Sequence, residues 1–346
     1  MLRLIAVVVA LLAPGLALAA PIPIKVVVLT AFEVGADSGD VAGEFQLWNE
    51  RLPLTDAMTV RGIVHPVRLS RDGVMGVVMG EFGRARTSMA ALLSDPRFDF
   101  SKTYWLMAGI AGVDPRTGAI GSAAWSDYVV DGDPLFELDD RELPPDWPWG
   151  LYAFGADRPG KTGRADDFSG MVWKLDPGLT RWAYRLSKDV PLADNADLAA
   201  VRALYAGEPA ALTPPKVQIG ASLGSVRFWH GERRTQWARD WVKVWTGGQS
   251  PLVMTDGEDQ AVLDTLTLFA KDGRVDARRV LVLRTASNYS RPGAGQPLPV
   301  AFAKGGSEAG FEAAYRVGAP VVKALVAGWA RYADSIPQDT PQGPAQ

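Results

Sequence analysis

Cysteine is absent from the 346 residues, and histidine nearly so, with only His65 and His230. Thiol catalysis and Cys-ligated metal are therefore excluded, and a His-based zinc site lacks enough imidazoles. No metal and no cofactor are expected. Charge of one sign is also missing: 36 Lys and Arg against 39 Asp and Glu leave a net −3 spread along the chain. Without a basic stripe, nucleic acid is not an expected partner. Beyond residue 20 no apolar run reaches the ~20 residues that a bilayer crossing needs. What is present is globular in kind, 47% hydrophobic and 22% charged, enough for a large core in one α/β domain.

The first twenty residues follow a different logic. Arg3 is a minimal positive n-region, Leu4 to Leu12 an apolar h-region, and Ala17-Leu-Ala19 an A-x-A cleavage signal. Residues 1–20 are expected to be a signal peptide, making the mature protein periplasmic or secreted. Residues 21–335 are expected to form a single domain, and 336–346, rich in Pro and Gln, a disordered tail.

Apolar runs at Lys25–Leu29, Val74–Met79, Tyr104–Ala108 and Ser122–Val130 read as strands, the first two of the kind buried on both faces. The second leads into a helix with Ala85, Met89, Leu92 and Leu93 on one face, stopped at Asp95-Pro96. The third ends in an expected tight turn over Gly109–Pro115. Residues 131–216, with Pro144-Pro145 and Pro214-Pro215, interrupt the rhythm and read as a surface elaboration carrying helices near 178–187 and 194–206. Regularity returns with a strand at Val217–Ala221. A helix over Asp259–Lys271 follows, with Gly273 as its stop, and then a strand at Val280–Leu283. Trp237, Trp241 and Trp245 share one helix face. The last helix spans 308–334, with a break expected at Gly318-Ala-Pro320. Strands alternating with helices give an α/β fold with a mainly parallel sheet and sites at the strand C-termini.

Five stretches carry a resemblance: Leu69-Ser-Arg-Asp-Gly-Val-Met75, Ser94-Asp-Pro-Arg-Phe98, Tyr104 through Pro115, Phe228-Trp-His-Gly231 and Leu283-Arg-Thr-Ala-Ser-Asn-Tyr289. Through them nearly the whole mature chain resembles the purine nucleoside permease family of bacteria and fungi. More distantly it is similar to the nucleoside phosphorylase and nucleosidase superfamily. That likeness implies a three-layer α/β/α sandwich around a mixed, partly barrel-like sheet, and cleavage or formation of the N-glycosidic bond of purine nucleosides. It also leaves a homo-oligomer open, since relatives are commonly dimers or hexamers. A chain with no membrane-spanning segment is not expected to be a carrier itself.

Carried over, Gly109, Ile110, Ala111 and Gly112 match the superfamily's central turn, Glu258 its ribose-binding glutamate, and Arg284 and Asn288 its strand-end pair. A carboxylate at Glu258 accepts from two sugar hydroxyls at once; the plainer role is a helix N-terminal acid favoured by the dipole, and Asp259 is read so. Asn288 stands where nucleosidases hold an Asp. An amide yields no proton near pH 7, but offers NH₂ and C=O to a purine edge; alternatively it makes a turn. Arg284 orients water or phosphate, or pairs with a buried carboxylate. Phe228, Trp229 and His230 lie in a loop placed to stack on a base, or pack in the core.

The water-activating glutamate of the hydrolases is the departure, since Gly35 falls at its place. Glu33 is the first candidate to replace it, ahead of Asp37 and Glu81; its plain role is a solvated loop acid. The apolar central turn favours water over phosphate as acceptor, with Arg84 and Arg86 the cations nearest to rescuing a phosphate site. A purine nucleosidase is the leading expectation. A non-catalytic nucleoside receptor serving uptake, and a phosphate-dependent phosphorylase, are the alternatives.

Overall fold

The structure, a computed structural model, describes residues 20–163, 170–303 and 306–339. The expected signal peptide over 1–20 lies outside them but for Ala20. The chain begins with β1 (Ile22–Pro23), β2 (Val26–Thr30), α1 (Gln46–Arg51), β3 (Asp56–Met58), β4 (Val67–Leu69), β5 (Val74–Val78), α2 (Gly83–Leu93) and β6 (Phe98–Asp99). Two long strands follow, β7 (Tyr104–Val113) and β8 (Ala123–Asp131). Next come β9 (Leu135–Glu137), β10 (Leu151–Ala153), β11 (Val172–Lys174), α3 (Pro177–Ser187) and α4 (Ala196–Ala203). The rest is β12 (Val217–Gly224), α5 (Glu232–Thr246), β13 (Leu252–Asp256), α6 (Asp259–Ala270), β14 (Val280–Tyr289), α7 (Leu298–Ala303), α8 (Ser307–Ala327) and α9 (Trp329–Tyr332).

The main sheet is mixed and runs β11-β8-β12-β13-β7-β2-β5-β4-β3. Strand β14 pairs in parallel with β7 and antiparallel with β8, so β7, β14, β8, β12 and β13 close into a ring. The partly barrel-like sheet is thus present, with β2 and β5 extending it in parallel beside β7. Alternation along β2 explains the layers. Val27 and Leu29 join one core with Met89 and Leu92 of α2 and Leu263 and Leu266 of α6. Val26 and Val28 join another with Trp48 of α1, Leu179 of α3, and Val317 and Val321 of α8. A strand buried on both faces must be apolar throughout, as the sequence of β2 is. On α5, Trp237 and Trp241 are buried and Trp245 packs beside them, as their spacing implies.

Four expectations are revised. The Gly109–Pro115 turn is absent, because β7 runs on to Val113 with β14 paired along it. Helix α8 passes through Gly318 and Pro320 and stops at Gly328. Gly318 is needed there for packing, since a Cβ would lie 2.6 Å from the Trp48 ring. The 131–216 segment is more than surface: β11 pairs with β8 as an edge strand, and Leu179, Trp182 and Ala183 of α3 enter the core. Finally, the start of the expected tail is docked. Ile336 packs on the second core, Pro337 is buried, and Asp339 pairs with Arg185 at 2.5 Å. Residues 340–346 lie outside the described part. Among the described residues no helix is long and apolar enough to cross a membrane.

Candidate functional site

A cleft opens where six strands end together. Ala31 and Phe32 follow β2, Glu81 and Phe82 follow β5, and Ile110, Ala111 and Gly112 come from β7. Ser225 follows β12, Asp256 closes β13, and Ser287 and Asn288 lie near the end of β14. Strand C-termini are where an α/β sheet leaves room for a ligand, because chain directions diverge there.

Beneath the cleft lies one guanidinium among carboxylates. Arg284, 2% exposed, donates to Asp259 through Nε at 3.1 Å and Nη2 at 2.7 Å. The same Nη2 reaches Glu258 at 3.2 Å and Asp256 at 3.4 Å. Asp259 is thus a fully buried partner of Arg284, and its reading as a helix N-terminal charge is corrected. Of the two roles open to Arg284, pairing with buried carboxylates is the one observed. Glu258, at the N-cap of α6, also accepts from the Phe82 N–H at 3.1 Å. Burial pushes its carboxyl above the usual range while Arg284 pulls it back. Asp256 is raised well above that range by burial and by the charge of Asp259. Its Oδ1 accepts from the Glu258 and Asp259 N–H groups at 3.1 and 2.9 Å, and its buried Oδ2 has no partner.

Glu44 is the residue that sequence reasoning missed. Its carboxylate faces the cleft and accepts from the Ala31 and Ile110 N–H groups at 2.7 Å each. Burial raises its carboxyl to about 7, against the pull of Arg284, with Glu258 adding to the rise. Glu33 does not line the cleft. Its carboxylate accepts from Val34 N–H at 2.9 Å, Phe45 N–H at 2.8 Å, and the Gly43 and Gln46 N–H groups. Glu33 therefore clamps the loop that presents Glu44, which corrects both its expected role as the water-activating base and its plainer reading as a solvated acid. Asp37 is engaged elsewhere, by His65 and Arg68. Glu81 is exposed at the cleft wall.

Glycines make this arrangement possible. A Cβ at Gly109 would sit 2.6 Å from Glu44 Oε1 and 2.7 Å from Arg284 Nη1. A Cβ at Gly112 would sit 2.7 Å from Thr255 Oγ1 and 3.3 Å from Asn288 Nδ2. So the two glycines matched to a turn serve close approach in a strand. The pairing of β14 with β7 shifts register between Ala286 and Asn288, a bulge at Ser287, and both Ser287 and Asn288 line the cleft. Bulges re-aim side chains in this way. The Asn288 amide donates to Tyr289 O at 3.0 Å and accepts from Ser287 Oγ at 3.1 Å, which leaves one N–H and one lone pair for another group.

Aromatic rings complete the wall. Phe228 is 56% exposed at the cleft, and Trp229 meets Trp237 edge-on while also lining it. His230 is half-buried, does not line the cleft, and burial lowers its pKa. Phe82 adopts φ 54°, a conformation costly for any residue with a Cβ. That backbone turns its N–H onto Glu258. The lining's one cation, Arg227, pairs with Glu137 of β9. Arg84 and Arg86 are exposed on α2, Arg86 facing Asp264 at 3.3 Å. An anion finds no free positive charge in this lining. The arrangement can instead hold neighbouring hydroxyls, hydrogen-bond the edge of a flat ring, and accept a proton near neutrality.

Ring closure of the strands and a cleft at their C-terminal rim define the nucleoside phosphorylase and nucleosidase fold. Solved 5′-methylthioadenosine/S-adenosylhomocysteine nucleosidases share it. The enzyme from Neisseria meningitidis superposes with a TM-score of 0.51 at 14% identity, over 87% of this chain and 99% of that one. The enzyme from Colwellia psychrerythraea, bound to adenine, gives 0.52 at 16% identity, over 87% and 94%. At such identities the likeness concerns the fold. The chain itself belongs to the purine nucleoside permease family, whose pattern it matches over residues 23–337. A purine nucleoside permease of Candida albicans is 31% identical over 258 residues, 72% of this chain and 63% of that protein. A probable purine nucleoside permease of Schizosaccharomyces pombe is 29% identical over 257 residues, 71% and 73% respectively. The match thus spans less than two thirds of the Candida protein's length.

Proposed function

We propose that this chain binds a purine nucleoside in the cleft and hydrolyses its N-glycosidic bond with water. Glu258 holds the ribose hydroxyls, and Asn288 meets the edge of the base, on which Phe228 and Trp229 stack. Glu44 takes the proton from the attacking water. The observation that carries this is Glu44 itself: a buried carboxyl raised to about 7 faces the same cleft as Glu258 and Asn288. A base with a pKa near the working pH is at its most effective. Arg284 supports the site from below, holding three carboxylates rather than touching substrate. Glu33 positions Glu44 and does not act on water. Export by the N-terminal segment, giving a periplasmic or secreted enzyme, completes the proposal.

Water rather than phosphate is favoured as acceptor because the lining offers Glu44, Glu81, Asp256 and Glu258 against the single, paired Arg227. A phosphate would enter against that charge. One observation favours a binding-only receptor, namely that Asn288 donates no proton to a leaving base. The two are separated by incubating pure protein with inosine, guanosine, adenosine and N-methylated purine nucleosides, with and without phosphate. Free base and ribose, formed at the same rate in either buffer, are expected. Tight binding with no base released from any of them would leave only the receptor.

A further inference from the structure

The charge of the cleft is unbalanced in a way that its proposed chemistry does not require. Arg284 is the guanidinium shared by Asp256, Glu258 and Asp259, and Glu44 adds a fourth buried carboxylate within its reach. Asp256 is decisive, because its side chain is wholly buried, lines the cleft, and leaves Oδ2 without a hydrogen-bond partner. Buried carboxylates in excess of their cations are relieved either by holding a proton, as burial favours at Asp256 and Glu44, or by ionising against a cationic ligand. In the same lining, Asn288, Ser287 and Thr255, the last next to Asp256 on β13, offer an amide and two hydroxyls, none of which surrenders a proton near neutral pH. A neutral nucleoside would have to expel its base as an anion beside those carboxylates. Phe32, Phe82 and Trp229 line the same cleft.

We infer that the nucleosides this cleft selects carry a formal positive charge on the base, as N7-alkylated purine nucleosides do. The inference rests on the cleft being a nucleoside site. Such a base satisfies the excess carboxylates and is attracted to aromatic faces. It also leaves without an acid. When the C1′–N9 bond breaks, its electron pair passes to the charged ring, which becomes neutral. The water oxygen bonds to C1′, and Glu44 takes the water proton and later returns it to solvent. One cationic nucleoside and one water give ribose, a neutral base and one proton. The substitution of an amide for an acid at Asn288 then matches the substrate.

Guanosine and 7-methylguanosine form the matched pair for the test, at a slightly acidic pH that keeps the methylated base cationic. Wild-type protein should show kcat/KM at least 100-fold higher for 7-methylguanosine, and bind it at least ten-fold more tightly by calorimetry. Asn288→Asp, which supplies the missing acid, should narrow the rate ratio at least ten-fold by raising guanosine turnover. Equal rates and equal affinities in the wild type would overturn the inference and leave the hydrolase standing. If neither is cleaved but the methylated nucleoside binds ten-fold tighter, hydrolysis falls and the cationic preference stands. If neither binds, both fall.

Discussion

At the scale of single residues, two glutamates eleven positions apart divide the work of one loop. Glu33 spends both oxygens on backbone N–H groups, while Glu44 keeps two such bonds and still faces the cleft. Burial separates their chemistry, since it raises the Glu44 carboxyl to about 7. Replacing Glu44 by Gln should lower kcat by about 10²–10⁴-fold, the usual contribution of a general base, with nucleoside affinity nearly kept. The sign with pH follows from the role. Only the ionised carboxylate accepts a proton, so turnover should rise as pH climbs through about 7 and level off above it. An acid limb that persists unchanged in Glu44→Gln would reassign the base. Protonation of Glu44 also favours the fold: its folded pKa lies above the ordinary 4.5, so stability drains as pH rises between those values.

At the scale of elements, β7 and β14 build the site between them. Arg284 pairs in register with Gly109, and Asn288 with Gly112, so each side chain that matters on β14 faces a residue with no side chain on β7. A bulge at Ser287 then sets the aim of Asn288. Gly109→Ala would push a methyl to 2.6 Å from Glu44 Oε1, in a wall of backbone and buried charge that has little room to give. Overpacking of that kind costs about 1–3 kcal/mol. The variant should melt earlier and lose base release more than its stability loss explains, whereas the exposed Gly207, with nothing within 4 Å of a Cβ and no positive φ, makes the control for added bulk. Full activity in Gly109→Ala would show that Glu44 does not sit where the strand places it.

At the scale of the whole molecule, residues 336–339 are tied back onto the sandwich. Ile336 and Pro337 pack down, and Asp339 meets Arg181 and Arg185 of α3, itself part of the 131–216 segment. Truncation after Ser335 should therefore cost about 1–2 kcal/mol, seen as a lower Tm, with base release retained, because the cleft lies elsewhere. A truncated protein with unchanged Tm would mean the contact carries no energy. Much of this architecture was legible in the residues. The apolar runs of β2, β5 and β14 and the tryptophan face of α5 follow from periodicity, a local property of a chain, while Glu258, Arg284 and Asn288 were marked by the family resemblance. Glu44 was not legible, nor the partnership of Asp259 with Arg284, nor the extension of β7 through its glycines. An acid becomes a base near neutrality only when other segments bury it, and a glycine serves close approach only when another strand comes near. Those conditions depend on residues up to 240 positions away, such as Arg284 from Glu44, which no local pattern encodes; folding alone brings them within a few ångströms.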